Sequence, residues 1–145
     1  MELSPTPCLH PSVASPKSIP VACAIIEDAD GRVLIAQRPP HKHLALKWEF
    51  PGGKIEAGES HADALLRELR EELGCTVEII RPLPAFLHDY TTVFIEMFPF
   101  ICRLTADSPA PHAHEHVALR WINPAELPTF DLAAADLPVV AAYRR

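Results

Sequence analysis

Residues 60–75 read S-H-A-D-A-L-L-R-E-L-R-E-E-L-G-C, and this segment dictates more of the possible fold than any other. Ser60 suits a helix N-cap with Asp63 three residues on, and Gly74 suits the left-handed stop after the last turn. Between them Ala62, Leu65, Leu66, Leu69 and Leu73 form one apolar stripe at helical spacing. At about 100° per residue, Glu68 and Glu72 lie beside the stripe and Glu71 further round. A helix that buries its leucines therefore carries three carboxylates to the rim of whatever it packs on. Placed at i, i+3 and i+4, they meet on one side of the helix and repel one another. A divalent cation relieves that repulsion, and magnesium takes oxygen ligands shared between carboxylates and substrate phosphates. The plainer alternative is a solvated face laced with pairs such as Arg67–Glu71. That alternative explains neither Glu59 nor the glycines upstream of the helix.

The rest of the chain limits the context. Its 145 residues, 48% hydrophobic and 22% charged, suit one soluble domain with a real core. No apolar run approaches the roughly 18 residues of a membrane span, so no membrane partner is expected. A formal charge of −6 argues against a nucleic-acid polymer as partner, which would call for a basic footprint. It leaves room for a nucleotide whose phosphates meet acidic residues through a cation. Residues 1–18 are rich in Pro and Ser, with neither a basic start nor an apolar core, and read as a flexible arm rather than a secretory signal. The domain is expected over residues 19–145. Four scattered cysteines, Cys8, Cys23, Cys75 and Cys102, form no C-x-x-C pair. Cys23 and Cys102, inside apolar runs, read as buried thiols of a reducing cytoplasm.

Val21–Glu27 and Val33–Gln37 are apolar runs separated by Asp28-Ala29-Asp30-Gly31, a hairpin signal. A loop over 41–48 leads to a short extended Glu49-Phe50 and a turn at Pro51-Gly52-Gly53, whose glycines let backbone approach a ligand. Strands are expected over 75–80, 83–90, 93–104 and 116–122. A short helical turn follows at Asn123-Pro124, and a C-terminal helix begins near Pro138. Strand runs broken by one central and one terminal helix imply an α/β fold, a mixed sheet with helices on its faces.

From Gly53 to Cys75 the chain also resembles the Nudix hydrolases, whose signature is G-x5-E-x7-R-E-U-x-E-E-x-G-U with U a bulky aliphatic residue. Gly53, Glu59, Arg67, Glu68, Leu69, Glu71, Glu72 and Gly74 stand at the fixed positions, and Cys75 replaces the last aliphatic residue as a small apolar side chain. The resemblance implies an α/β/α sandwich over residues 20 to about 143. It implies that Glu71 and Glu72 are core metal ligands and that Gly52 or Gly53 adds a backbone carbonyl. Glu68 would ligate metal or help activate water, Glu59 would support the metal shell, and Arg67 would orient the glutamates through charge-assisted hydrogen bonds. The metal would be Mg2+, with Mn2+ possible.

Trp48 to Glu59, W-E-F-P-G-G-K-I-E-A-G-E, resembles the MutT-type branch in particular. By that resemblance Glu115 is a further ligand or base opposite the helix, and Arg38, Phe50 and Asp136 bind substrate. Arg38 has a solvated strand-end cation as its alternative, and Asp136 the N-cap of the last helix. Where the MutT type reads a purine with Asn, an ionised Asp only accepts, from guanine, 8-oxoguanine or cytosine N–H groups. The segments His114-Glu115-His116 and Leu132–Pro138 are also similar to the branch that prefers CTP. The alternating His112, His114 and His116 suggest a zinc site, but nothing in the sequence completes one.

The implied activity is nucleoside-triphosphate pyrophosphohydrolysis, giving the monophosphate and pyrophosphate, and sanitising the nucleotide pool of oxidised species such as 8-oxo-dGTP. Three alternatives stay open: CTP or 5-hydroxy-CTP as substrate, ADP-ribose or dinucleoside polyphosphates, and a non-catalytic binding module. The chain is expected to act in the cytoplasm as a monomer or homodimer.

Overall fold

Side-chain alternation along the first strand builds the two faces of the sheet. In the computed structural model, which describes residues 17–144, β1 (Lys17–Glu27) sends Ala22, Ala24 and Ile26 to one side and Cys23 and Ile25 to the other. Both sets are buried, as befits a strand covered on both faces. The remaining strands are β2 (Val33–Gln37), β3 (Trp48–Glu49), β4 (Gly52–Lys54), β5 (Val77–Pro82), β6 (Phe86–Asp89), β7 (Val93–Leu104) and β8 (Ala118–Ile122). They run in the order β3-β2-β1-β7-β5, with β4 paired to β1, β6 to β7 and β8 to β2. Among the strands of the described residues β1 and β7 pair in parallel, from Lys17↔Val93 to Glu27↔Arg103, and the other strand pairs are antiparallel, so the sheet is mixed.

Helix α1 (His61–Leu73) lays Leu65, Leu69 and Leu73 against Ala22, Ala24, Ile26 and Leu34. On the opposite face α2 (Leu137–Tyr143) contributes Val139 and Val140 to a cluster with Cys23, Ile25, Ile35 and Phe50. The fold is thus an α/β/α sandwich. The caps of α1 are those its sequence promises: Ser60 Oγ accepts from the Asp63 N–H at 3.0 Å, and Gly74 takes φ 65°. The buried stripe includes Ala64 in place of the expected Ala62, which is only half-buried at the edge of the helix. Cys23, Cys75 and Cys102 are free and buried.

Several boundaries differ from the sequence reading, among them β5, at Val77–Pro82 rather than 75–80, and β6, at Phe86–Asp89 rather than 83–90. Strand β1 begins at Lys17 rather than Val21, so Lys17 and Ser18 belong to the sheet and not to an arm; the rest of that arm, with Cys8, lies outside the described residues. Pro51-Gly52-Gly53 is no free turn, because Gly52 and Gly53 pair with Cys23 and Ala22 of β1. His116 lies before β8, not in it. A 3-10 turn, Pro124–Thr129, is closed by a capping box between Asn123 and Glu126. Among the described residues no helix is long and apolar enough to cross a membrane.

Candidate active site

Strand β4 lies directly under α1, and the fit leaves no room for a side chain. A Cβ on Gly53 would sit 2.3 Å from the Glu68 carboxylate, and one on Gly52 would sit 2.0 Å from the Ala22 carbonyl oxygen. The neighbouring strand therefore demands glycine at Gly52, whereas a side chain at Gly53 would have to displace the Glu68 carboxylate. Close approach is achieved, but to the protein itself.

Arg67 organises the carboxylates of the helix. Its Nε donates to Glu59 Oε2 at 2.7 Å and its Nη2 to Glu59 Oε1 at 3.0 Å, a bidentate pair. The same guanidinium reaches Glu68 Oε2 at 3.0 Å, Glu71 Oε1 at 3.1 Å and the Lys54 carbonyl at 3.1 Å. The expected Arg67–Glu71 pair exists, as one spoke of a larger hub. The hydrogen bonds from Arg67 and from the Glu56 N–H hold Glu59 down at about 2, so it stays ionised. Arg67 itself is driven above its ordinary range, first by Glu59. Glu71 points outward with 60% of its side chain exposed, whereas Glu68 retains only 15%.

Glu72 is the strained member. Burial pushes its carboxyl up to about 7, with the carboxylates of Glu68, Glu49 and Glu115 adding to the effect and His116 opposing it. Burial also raises Glu68, against the pull of Arg67. Two buried side-chain polar atoms lack a hydrogen-bond partner among the described residues, Glu72 Oε1 and His116 Nδ1. An orphaned carboxylate oxygen beside a second desolvated carboxylate, with glycine backbone against it, is a donor set suited to a hard divalent cation. No group of three or more His, Cys, Asp or Glu is gathered for one among the described residues. The acidic oxygens are instead tied to Arg67 or spread along the rim.

Two adjoining cavities make a cleft that begins at these carboxylates. One, of about 410 Å³, is lined by Glu68, Glu72, Glu56, Gly52, Gly53 and Phe50. The other, of about 430 Å³, is lined by Ile19, Tyr90, Val93, Ile95, His43, Leu44 and Ala133. Val21, Arg38, Glu49, Lys54, Met97 and Asp136 border both. An acidic end thus opens into a largely apolar compartment with a few polar groups, the usual build of a small-molecule site.

The residues assigned to substrate sit on that border with altered roles. Asp136 is buried, and its Oδ2 accepts the Phe50 N–H at 3.0 Å; it makes no side-chain cap to α2. A 3-10 turn at Ala134–Asp136 precedes the helix and removes the need for that cap. Burial first, and the nearby Glu49 second, raise the Asp136 carboxyl well above its usual range. That shift favours the neutral carboxyl, which both donates and accepts, over the ionised form, which only accepts. Arg38 is no solvated cation, since its Nη1 lies 3.1 Å from Glu49 Oε1 and its Nε donates to the His43 carbonyl at 2.7 Å. Phe50 belongs to the core cluster, 3% exposed, while still lining the acidic cavity.

Glu115 lies near enough to Glu72 to raise that carboxyl but lines neither cavity. It pairs with Lys42 Nζ at 2.6 Å in an exposed position, and that contact lowers its pKa. The three histidines do not converge: the rings of His112 and His114 stand 4.4 Å apart, while His116 turns inward to Glu49 Oε2 at 2.9 Å. Sequence reasoning overlooked Glu49 and met His116 only as a zinc candidate and as part of a segment similar to the CTP-preferring branch. A charged side chain between Trp48 and Phe50, both drawn into the apolar cluster, was the available signal for Glu49. Tyr90 was also overlooked. It stands in the apolar wall, and its hydroxyl accepts the Ala135 N–H at 3.0 Å next to Asp136.

With this geometry in hand, comparison with known proteins is informative. The sequence model of the family described as NUDIX domain matches residues 17–143. A protein of Escherichia coli (strain K12) named CTP pyrophosphohydrolase is 39% identical over 127 residues, covering 88% of this chain and 92% of that protein. The 8-oxo-dGTP diphosphatase of the same organism is 30% identical over 129 residues, covering 89% of this chain and 98% of its own length. The solution structure of the E. coli ORF135 protein superimposes with a TM-score of 0.76 at 39% identity, over 91% of this chain and 92% of that one.

Proposed function

This chain belongs to the Nudix family, and on that premise we propose that it is a divalent-metal-dependent nucleoside-triphosphate pyrophosphohydrolase, cleaving NTP with water to NMP and pyrophosphate. The observation that carries the reading is the cleft itself: desolvated glutamates at one end, and at the other an apolar compartment bordered by Asp136, Glu49 and Arg38. Triphosphate and base would have separate places in it.

The metal is Mg2+ in this reading, because carboxylate and carbonyl oxygens favour it over softer ions. Glu72, Glu68 and Glu71 would hold it, with the Gly52 or Gly53 carbonyl; when bound it lowers the pKa of attached water and neutralises charge on the phosphates. Arg67 keeps Glu68 and Glu71 oriented and is itself anchored by Glu59, a positioning rather than a substrate role. Glu115 would join the site only after leaving Lys42. Lys54, exposed beside the glycines, faces the phosphates. Asp136 and Glu49 address the base edge, and Tyr90, Ile95 and Met97 supply its apolar surroundings.

Two bases suit those polar groups. 8-Oxoguanine offers N1–H, N2–H2 and N7–H, and its triphosphate would be cleared from the nucleotide pool before a polymerase uses it. Cytosine offers N4–H2, and the full-length similarity to a CTP pyrophosphohydrolase supports that second reading. The enzyme would work in the cytoplasm, where thiols such as Cys23 and Cys102 stay reduced. The test is pyrophosphate release with magnesium from 8-oxo-dGTP, dGTP, 5-hydroxy-CTP, CTP and ADP-ribose. Selective turnover of a triphosphate supports the reading; cleavage of ADP-ribose alone, or of nothing, overturns it.

A further inference from the structure

His116 lies outside the lining of both cavities, yet it holds one of the groups that border them. Its side chain is 7% exposed, and its Nε2 stands 2.9 Å from Glu49 Oε2. The other oxygen of Glu49 is taken by Arg38 at 3.1 Å. Each carboxylate oxygen therefore has one protein donor, which fixes the plane of the group and leaves further lone pairs for a ligand. A carboxylate already paired with arginine only accepts, so the imidazole proton resides on Nε2.

The backbone makes this contact durable. At Ala36 strand β2 is paired with Glu49 of β3 on one edge and with Leu119 of β8 on the other. The Val117 N–H donates to the Gln37 carbonyl at 2.9 Å, pinning the residue after His116 to the end of β2. Glu49 and His116 reach each other across that end from two strands that β2 holds in register. Among the described residues the ring makes no other hydrogen bond, and beyond Glu49 it acts on Glu72 and Glu115, whose carboxyls it lowers.

We propose that His116 is a specificity-determining positioning residue: its Nε2–H orients the Glu49 carboxylate as an acceptor facing the cleft, and the enzyme thereby prefers bases that present an amino group there. This rests on the pyrophosphohydrolase reading, and the experiment separates the two. Steady-state kinetics are measured for wild type, His116→Leu, His116→Gln, Glu49→Gln and the His116→Leu/Glu49→Gln double variant. The substrates are two pairs that differ by one exocyclic amino group, dCTP against dUTP and dGTP against dITP.

Wild type is expected to prefer the amino-bearing member of at least one pair. In His116→Leu that ratio of kcat/KM falls about tenfold, the scale of one hydrogen bond to a charged group, chiefly through KM of the amino-bearing nucleotide. His116→Gln, whose side-chain amide can donate from a similar position, recovers most of the ratio. The double variant is no less selective than either single one, because both act through one contact. Four results overturn the inference while leaving the function standing: no amino preference in wild type, an unmoved ratio in His116→Leu, equal losses on both members of a pair, or a glutamine variant no better than leucine. Wild type inert toward all four nucleotides overturns the inference; inert toward 8-oxo-dGTP and 5-hydroxy-CTP as well, it overturns the reading beneath it too.

Discussion

Gly52 and Gly53 are neighbours, yet the structure separates the consequences of giving each a methyl group. In Gly53→Ala the new Cβ would stand 2.3 Å from Cδ and Oε1 of Glu68, the far end of a flexible side chain. Ordinary contact requires the carboxylate to retreat by about 1 Å. Misplacement on that scale near reacting atoms costs on the order of 100-fold in turnover, while the fold needs only one rotamer to give way. In Gly52→Ala the Cβ would stand 2.0 Å from the Ala22 oxygen and 2.7 Å from the Cys23 Cα, both backbone of the central strand, at φ 155°. That strand is held along its whole length by β7 and cannot withdraw. Overpacking against it costs about 3 kcal/mol or more. Urea unfolding and pyrophosphate release, measured on both variants, are expected to diverge: Gly53→Ala near wild type in stability and about 100-fold slower, Gly52→Ala markedly destabilised. Near wild-type turnover in Gly53→Ala, or a stability loss equal to that of Gly52→Ala, would refute the placement of Glu68 against β4.

Further outcomes follow from the same geometry. Glu71→Gln, altering a largely exposed carboxylate with one partner, should melt like wild type and lose most turnover at matched metal concentration; retained turnover removes Glu71 from the site. Arg67→Lys cannot span Glu59, Glu68 and Glu71 with one ammonium, and its Mg2+ affinity by calorimetric titration should fall about tenfold or more; unchanged affinity would make the Arg67 hub merely structural. Asp136 has its pKa raised in the folded state, so the favourable contribution is present below the unfolded value of about 3.9 and is lost as pH rises toward the folded one. Asp136→Asn keeps an acceptor for the Phe50 N–H and carries no such penalty. Its stability relative to wild type should climb between pH 4 and pH 8 in urea unfolding, and a flat difference would contradict the burial of an ionisable group there.

What the sequence revealed and what it concealed divide along physical lines. Helix α1 was legible to the residue because its determinants are local: Ser60 caps it, Gly74 ends it, and the three leucines and three glutamates sit on faces that periodicity alone separates. A mixed sheet with helices on its faces was legible from the same local patterns, whereas the α/β/α sandwich was implied by the family resemblance. Glu49 and His116 were not, since they lie 67 residues apart and meet only because β3 and β8 flank β2. Asp136 stands at a position where an N-cap is the local expectation. A long-range bond to Phe50 and full burial override it. Gly52 and Gly53 announced a close approach without naming the partner, which proved to be β1 and Glu68. Glu115 was assigned by resemblance to a place opposite the helix, and its pairing with Lys42, 73 residues away in the chain, is a contact no local pattern announces.

The central claim is that the acidic end of the cleft cleaves the bond between the α and β phosphates of a nucleotide. Phosphorus NMR of a complete turnover, with wild type, Mg2+ and whichever triphosphate of the panel is cleaved, reads that bond directly. Nucleoside monophosphate and pyrophosphate in equal amounts, absent with Glu71→Gln, is the result this account predicts. Nucleoside diphosphate with orthophosphate, or the same products undiminished in Glu71→Gln, would contradict it.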